Sequence, residues 1–252
     1  MPSASATRPR LLARALWGGA ELAVTLGVVL LLLVAHQLWW TNREARAEAR
    51  QTVHALEREW GPPASRAPTR TPKKAAPPAP AARADDPPAS AAGTATPDDR
   101  PQGDQAYAVL RIPSLGITAP IAEGISKHGV LDKGYVGHYP GTAQPGQVGN
   151  FALAGHRNTH GEPFRYINRL RPGDRVVVET RTAVFTYLVD STLNQTSAGD
   201  SGVIAPVPRS SLRTEYGYSR PGYYVTLTTC TPEFTSRYRL AVWGTLASMR
   251  LR

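Results

Sequence analysis

The longest apolar run in the chain extends over residues 15–40, and it predicts a helix that crosses a membrane. Its densest part, residues 24–35, carries no charge. As an α-helix the run would be about 39 Å long at about 1.5 Å per residue, which is enough to span a bilayer. Trp17 at one end and Trp39 and Trp40 at the other suit the two membrane interfaces.

A cleaved signal peptide is the alternative explanation of this run, and it requires a small-residue cleavage site after a shorter apolar core. His36, Gln37 and Leu38 follow the core and form a poor site, so we expect an uncleaved anchor. Residues 1–14 form a short basic tail. Its brevity favours a single-pass protein of the cell membrane, with a cytoplasmic N-terminus and an extracellular C-terminal domain.

Two polar segments follow the apolar run and differ in pattern. Residues 41–60 (TNREARAEARQTVHALEREW) have mixed charge and predict a polar helix that continues the anchor as a solvated stalk. Residues 61–104 are rich in Pro, Ala, Ser, Thr and Asp, with almost no large apolar side chains to bury. We predict a disordered linker there, which would let a tethered domain search the zone above the membrane.

From residue 105 to 252, short runs of alternating or β-branched residues lie between turns rich in glycine and proline. This pattern is typical of a single all-β barrel or roll with short helices. A turn-rich passage is expected over 122–137, a loop-rich one over 191–211, and a short helix within 158–170. The predicted strands are Tyr107–Ile112, Ile117–Ile121, Phe151–Ala154, Arg175–Thr180, Ala183–Asp190, Tyr223–Cys230 and a last strand from near Arg237 to about Ala247.

The net positive charge of the chain is compatible with several kinds of anionic partner. The formal net charge of +10 suits nucleic acid, anionic lipid or an anionic cell wall. Nucleic acid is the weakest of these, because no zinc-finger spacing or aromatic RNA-binding motif accompanies the charge. The chain contains one cysteine, which excludes an intrachain disulfide.

That cysteine, Cys230, ends a predicted strand, because Pro232 cannot donate to a strand ladder and restricts the residue before it. His156 also lies at a strand end, after Gly155. A thiolate is a nucleophile whose pKa is lowered by nearby cations, and it needs a histidine to move protons. A lone cysteine or histidine is more often structural, so the surrounding motif has to decide.

The motif TLTTC at 226–230, with an upstream Gly155-His156 and an arginine on the next strand, resembles the sortase family. The resemblance covers roughly residues 106–246 and is greatest to class E sortases, which are housekeeping-type enzymes of Gram-positive bacteria. It implies a sortase-type β-barrel, no cofactor, and a membrane-anchored cysteine transpeptidase. Such an enzyme cleaves a Leu-Ala/Pro-x-Thr-Gly sorting signal of secreted proteins between Thr and Gly. It transfers the acyl group to a peptidoglycan precursor amine in the cell wall.

The resemblance also implies three catalytic roles. Cys230 attacks the Thr-Gly carbonyl to give a thioester, and His156 protonates the leaving amine and later deprotonates the incoming one. An arginine stabilises the oxyanion or holds the substrate backbone. We assign this role to Arg239, since RLAVWG best matches the strand that follows the family arginine. Arg237 remains the alternative for this role, because residues two apart share a face of a strand.

Two further residues are weaker candidates for substrate binding. Thr229 is similar to a threonine that assists the oxyanion in the family, although a strand former explains it equally. Tyr139 resembles a tyrosine that class E enzymes, which prefer Leu-Ala-x-Thr-Gly over Leu-Pro-x-Thr-Gly signals, place near the substrate. A turn aromatic packed on the core would explain it too. His160 lies four residues after His156, a spacing that binds zinc on a helix. Glycines bracket the segment and no third ligand is apparent, so we expect no metal.

Three alternatives remain. A membrane-tethered, non-catalytic module that binds the cell wall explains the charge, linker and anchor, but not the combined motif. A pilus-polymerising sortase usually carries an Asp-Pro-aromatic plug, whereas Asp86-Pro87 is followed here by proline and alanine. Other cysteine enzymes fit less well: L,D-transpeptidases place the histidine two residues before the cysteine, and papain-type peptidases place the cysteine first.

Overall fold

A computed structural model describes residues 8–61 and 103–252 as one long helix and a β-barrel with short 3-10 turns. The helix is α1 (Arg8–Trp60). The first seven residues and most of the predicted linker, including Asp86-Pro87, lie outside the described residues. The strands are β1 (Ala106–Ile112), β2 (Ile117–Glu123), β3 (Val136–His138), β4 (Gly149–Ala154), β5 (Arg175–Thr180), β6 (Ala183–Ser197), β7 (Tyr223–Thr231) and β8 (Tyr238–Leu251).

The strands close into a barrel in the order β1-β2-β3-β4-β7-β8-β6-β5. The β2/β3 and β4/β7 pairs are parallel, and the other pairs are antiparallel. Alternate residues of β6, from Ala183 to Val189, are buried, as the two-residue period of a strand requires. The core also takes Phe151 and Leu153 from β4 and Leu227 from β7. The prediction of an all-β barrel is confirmed.

Three elements differ from the prediction. The three-residue strand β3 lies in the passage predicted as turns, since it is too short to show a strand period. Strand β6 continues to Ser197, because backbone pairing with β8 holds residues whose polar side chains suggested a loop. The helix expected within 158–170 is a single 3-10 turn, Ile167–Arg169.

Helix α1 has two parts with different surroundings. Within the described residues it is the one helix that is long and apolar enough to cross a membrane. The apolar side chains from Leu16 to Val34 are exposed, which is consistent with the predicted span. Residues 41–60 continue the same helix without a break.

The prediction that residues 41–60 form a solvated stalk is wrong for one face of the helix. Ala45, Ala49, Val53 and Leu56 are buried, and their spacing places them on one side. Val53 and Leu56 cluster with Val109 of β1. Polar contacts add to this packing, including a 2.7 Å hydrogen bond between the Thr52 and Tyr135 hydroxyls and an ion pair between Glu57 and Arg111. The barrel therefore packs directly against the polar continuation of the apolar helix.

This packing gives a testable prediction at Val53, which is 3% exposed. Val53→Asp would bury an unpaired charge, which costs several kcal/mol, so the helix should detach from the barrel. We expect amide protection of residues 42–60 to fall by about 100-fold, or about 3 kcal/mol. Hydrogen exchange of the full-length protein in detergent measures this. Ala55→Asp, on the exposed side of the same helix, should leave protection unchanged, and equal losses would contradict the docking.

Candidate active site

Cys230 and His156 lie at the same end of two neighbouring strands. Strands β4 and β7 run parallel, with Ala154 paired with Thr228. Cys230 and His156 each lie two positions beyond that pair. The Gly155 amide donates to the Thr228 carbonyl at 3.2 Å, so the strands stay together up to the residue before His156. The structure thus brings the predicted nucleophile and the predicted proton carrier to one rim of the barrel.

Arg239 lies directly opposite Cys230 in the antiparallel β7/β8 pair. Residues in such a pair project from the same face of the sheet. One guanidinium nitrogen of Arg239, Nη1, donates to the carbonyls of Ser236 (2.9 Å) and Tyr238 (3.1 Å). Arg237 precedes the first residue of β8, is exposed, and places its guanidinium 5.1 Å from the Tyr238 ring centre. The register therefore places Arg239, and not Arg237, beside Cys230.

The two predicted substrate-binding residues both contact this rim. Thr229 is buried, and its hydroxyl donates to the Gly155 carbonyl at 2.7 Å, which ties the cysteine strand to the histidine strand. Tyr139 is half-buried, and its hydroxyl lies 3.1 Å from that of Thr228. Thr228 and Cys230 are two apart and share a face of β7, so Tyr139 reaches the cysteine side of the strand.

An acidic residue that the sequence analysis missed contacts the candidate histidine. Asp132 lies in the 3-10 turn Leu131–Lys133, and its Oδ1 accepts a 2.9 Å hydrogen bond from Nε2 of His156. The same oxygen lies 3.4 Å from Nδ1 of His160, and Oδ2 lies 3.1 Å from Nδ1 of His128. Partial burial lowers the pKa of His160 below its ordinary value, against the opposing effect of Asp132. The spacing of these residues in the sequence does not predict that they meet, because Asp132 lies in a separate turn.

A buried arginine beside the cysteine was also missed. Arg157 is 7% exposed, and its Nη1 donates to the Cys230 carbonyl (3.2 Å) and to the Thr231 hydroxyl (2.9 Å). The carboxylate of Glu233 lies 3.7 Å from Nη2. The Arg157 side chain therefore holds the end of β7 in place and brings a positive charge next to Cys230. Its position directly after His156 was the available signal in the sequence.

A sortase-domain family model matches residues 110–247. The chain belongs to the sortase family. It is 45% identical over 237 residues to Sortase SrtE1 of Streptomyces coelicolor, covering 92% of this chain and 57% of that protein. It is 29% identical over 244 residues to Sortase SrtE2 of the same organism, covering 94% of this chain and 84% of that protein. The chain thus spans little more than half the length of Sortase SrtE1.

Two solved structures that are similar to this chain are also sortases. The crystal structure of sortase E1 from Streptomyces coelicolor, with a tripeptide in its active site, is 54% identical with a TM-score of 0.56, covering 59% of this chain and 92% of that one. Sortase E from Streptomyces avermitilis is 45% identical with a TM-score of 0.52, covering 59% of this chain and 91% of that one. The resemblance to class E sortases is confirmed.

Proposed function

We propose that this chain is a membrane-anchored cysteine transpeptidase that joins secreted proteins to a cell-wall amine. The pairing of Cys230 with Arg239, next to the strand end that carries His156, is the observation that carries this proposal. Membership of the sortase family supports it. The exposed apolar part of α1 supports anchoring. Transfer to a cell-wall amine requires the barrel to lie outside the cell, and the N-terminal end of a single-pass α1 then lies inside.

The proposed reaction has two acyl transfers. The Cys230 sulfur attacks the carbonyl carbon between Thr and Gly of a sorting signal, and the C–N bond breaks as His156 protonates the leaving glycine amine. The incoming amine then loses a proton to His156, attacks the thioester carbonyl and releases the thiolate. Arg239 places positive charge where the carbonyl oxygen becomes negative. Thr229 holds the rim in register, and Tyr139 contacts the peptide.

The proposed substrate is a Leu-Ala-x-Thr-Gly or Leu-Pro-x-Thr-Gly signal. Sortase E1 of Streptomyces coelicolor has a tripeptide in its active site, which supports a peptide ligand here. Tyr139 lies on the cysteine side of β7, where it can contact a bound peptide. We expect the Leu-Ala peptide to be preferred, as the class E resemblance implies.

The test uses the full-length protein in detergent, because α1 packs against the barrel. Both peptides are supplied in turn with an amine acceptor, and mass spectrometry follows the protein and the products. The expected results are an acyl adduct mapped to Cys230 and a ligated product, with the Leu-Ala peptide faster. A folded protein that forms no adduct with either peptide would overturn the proposal and favour a wall-binding module.

Asp132→Asn tests how His156 is held. A hydrogen bond to a charged group contributes about 1.5–3 kcal/mol, so we expect kcat to fall roughly 10–100-fold with little change in KM. Steady-state assays give both constants. His128→Ala is the matched control, since it removes another partner of Asp132 and leaves His156 in place. A loss confined to KM, or an equal loss in the control, would contradict the positioning role.

A further inference from the structure

Three side-chain atoms from two separate loops converge beside the candidate active site. His156, His160 and Asp132 each offer one ligand atom, and these three atoms lie within 4.8 Å of one another. Oδ1 of Asp132 lies 2.9 Å from Nε2 of His156 and 3.4 Å from Nδ1 of His160. Zinc–nitrogen and zinc–oxygen bonds of about 2.0–2.2 Å place neighbouring tetrahedral ligand atoms about 3.3 Å apart. Both distances from Asp132 are close to this spacing, so the carboxylate and the two imidazoles can share one zinc ion.

His160 has an unused ligand atom in this cluster. Its Nδ1 is buried and has no hydrogen-bond partner among the described residues. A buried polar atom without a partner is costly, and an ion is one way to satisfy it. The expectation that no metal binds rested on the lack of a third ligand after His156 and His160. Asp132 supplies that ligand.

The loop that carries His160 is held in an unusual backbone conformation. His160, Gly161 and Glu162 all have positive φ, at 51°, 82° and 55°. Non-glycine residues adopt this region at a cost, so surrounding contacts must maintain it. Glu162 is buried and accepts hydrogen bonds from Arg46 (3.0 Å) and Arg165 (2.8 Å).

Helix α1 braces both loops of the cluster. Asn42 accepts a 3.2 Å hydrogen bond from the Gly161 amide and donates one of 3.2 Å to Glu162. On the other loop, a Cβ added at Gly134 would lie 2.9 Å from the Ala45 carbonyl oxygen, so Asp132's turn lies directly against the helix. Ligands held on braced loops lose little entropy when an ion binds, which favours binding.

We propose that Asp132, His156 and His160 bind a zinc ion, and that the bound ion blocks acyl transfer because an imidazole with zinc on Nε2 can no longer take up and release a proton at its other nitrogen, Nδ1. Two imidazoles and one carboxylate are a zinc ligand set, and a water would complete the tetrahedron. The Zn–N bond replaces the hydrogen bond from Nε2 to Asp132, and a proton on Nε2 is released to solvent. The inhibitory half of this proposal rests on the proposed function, whereas the binding half does not.

The binding test uses full-length protein in detergent after removal of metals with chelator. Co²⁺ is titrated while its visible absorption is followed, and Zn²⁺ is then added in competition. We expect one ion per chain in the wild type and at least tenfold weaker binding in His160→Ala. His128→Ala and Cys230→Ala should bind as the wild type does. Unchanged binding in His160→Ala, or loss of binding in Cys230→Ala, would overturn the site.

The activity test separates the two proposals. In metal-free buffer His160→Ala should keep transpeptidation within about twofold of the wild type. Zn²⁺ should then inhibit the wild type at least tenfold more strongly than His160→Ala, and Mg²⁺ should inhibit neither, since it prefers oxygen ligands. Equal inhibition of both proteins by Zn²⁺ would overturn the proposed block. Absence of transpeptidation without metal would instead refute the proposed function, and the Co²⁺ titration would still decide the binding site.

Discussion

Full-length protein carrying Cys230→Ala is expected to form neither an acyl adduct nor a ligated product, with a rate loss of about 10⁵-fold or more. Alanine removes the sulfur that must bond to the substrate carbonyl, and the described residues place no second thiol at this rim. Cys230 is half-buried at a strand end, so its removal should leave no large cavity. Mass spectrometry of the protein and of the released peptides measures both species.

Cys230→Ser is the informative companion, since it keeps the size and hydrogen bonding of the side chain. A serine hydroxyl is a far weaker nucleophile than a thiolate at neutral pH, so this variant should bind peptide with unchanged affinity and transfer it at a rate near that of Cys230→Ala. Unfolding temperatures equal to the wild type would show that both variants fold. Ligated product at a wild-type rate from either variant would refute a covalent thioester at this position.

Much of the barrel follows directly from local sequence. Pro232 ends the β7 run, so the position of Cys230 at a strand end could be predicted from the residues around it. The boundaries of β5 match the predicted Arg175–Thr180 because alternation and turn residues agree there. Strand β3 shows the limit of this method, since its three residues depend on pairing with β2 and β4 and carry no period of their own.

The docked face of α1 had a signal that the charge pattern obscured. Ala45, Ala49, Val53 and Leu56 follow a helical period, but two of them are small and the segment is rich in arginine and glutamate. The local sequence predicts the helix, but which of its faces is buried depends on the barrel surface that it contacts. The sequence gives no indication that Asp132 contacts His156. That contact depends on how the turn after β2 packs against the residues that follow β4.

Arg239→Ala is expected to lower kcat/KM by roughly 10²–10³-fold, the effect typical of removing one donor to a developing oxyanion. The register supports this, because Arg239 lies opposite Cys230 on the next strand. Arg239→Lys keeps the charge but loses the planar set of donors, so it should restore only part of the rate. Steady-state kinetics with the preferred peptide and an amine acceptor give these values.

Arg237→Ala is the matched control, since it removes an identical charge two residues away at the exposed turn. We expect its kcat/KM to stay within about threefold of the wild type, because an exposed guanidinium is screened by solvent. The comparison therefore decides between the two arginines that the sequence left open. If Arg237→Ala lost at least as much activity as Arg239→Ala, the substrate would have to approach Cys230 from the turn between β7 and β8, and the assignment of Arg239 would be wrong. If both variants kept full activity, the oxyanion would need another donor, and Arg157, which is bonded to the Cys230 carbonyl, would be the next candidate.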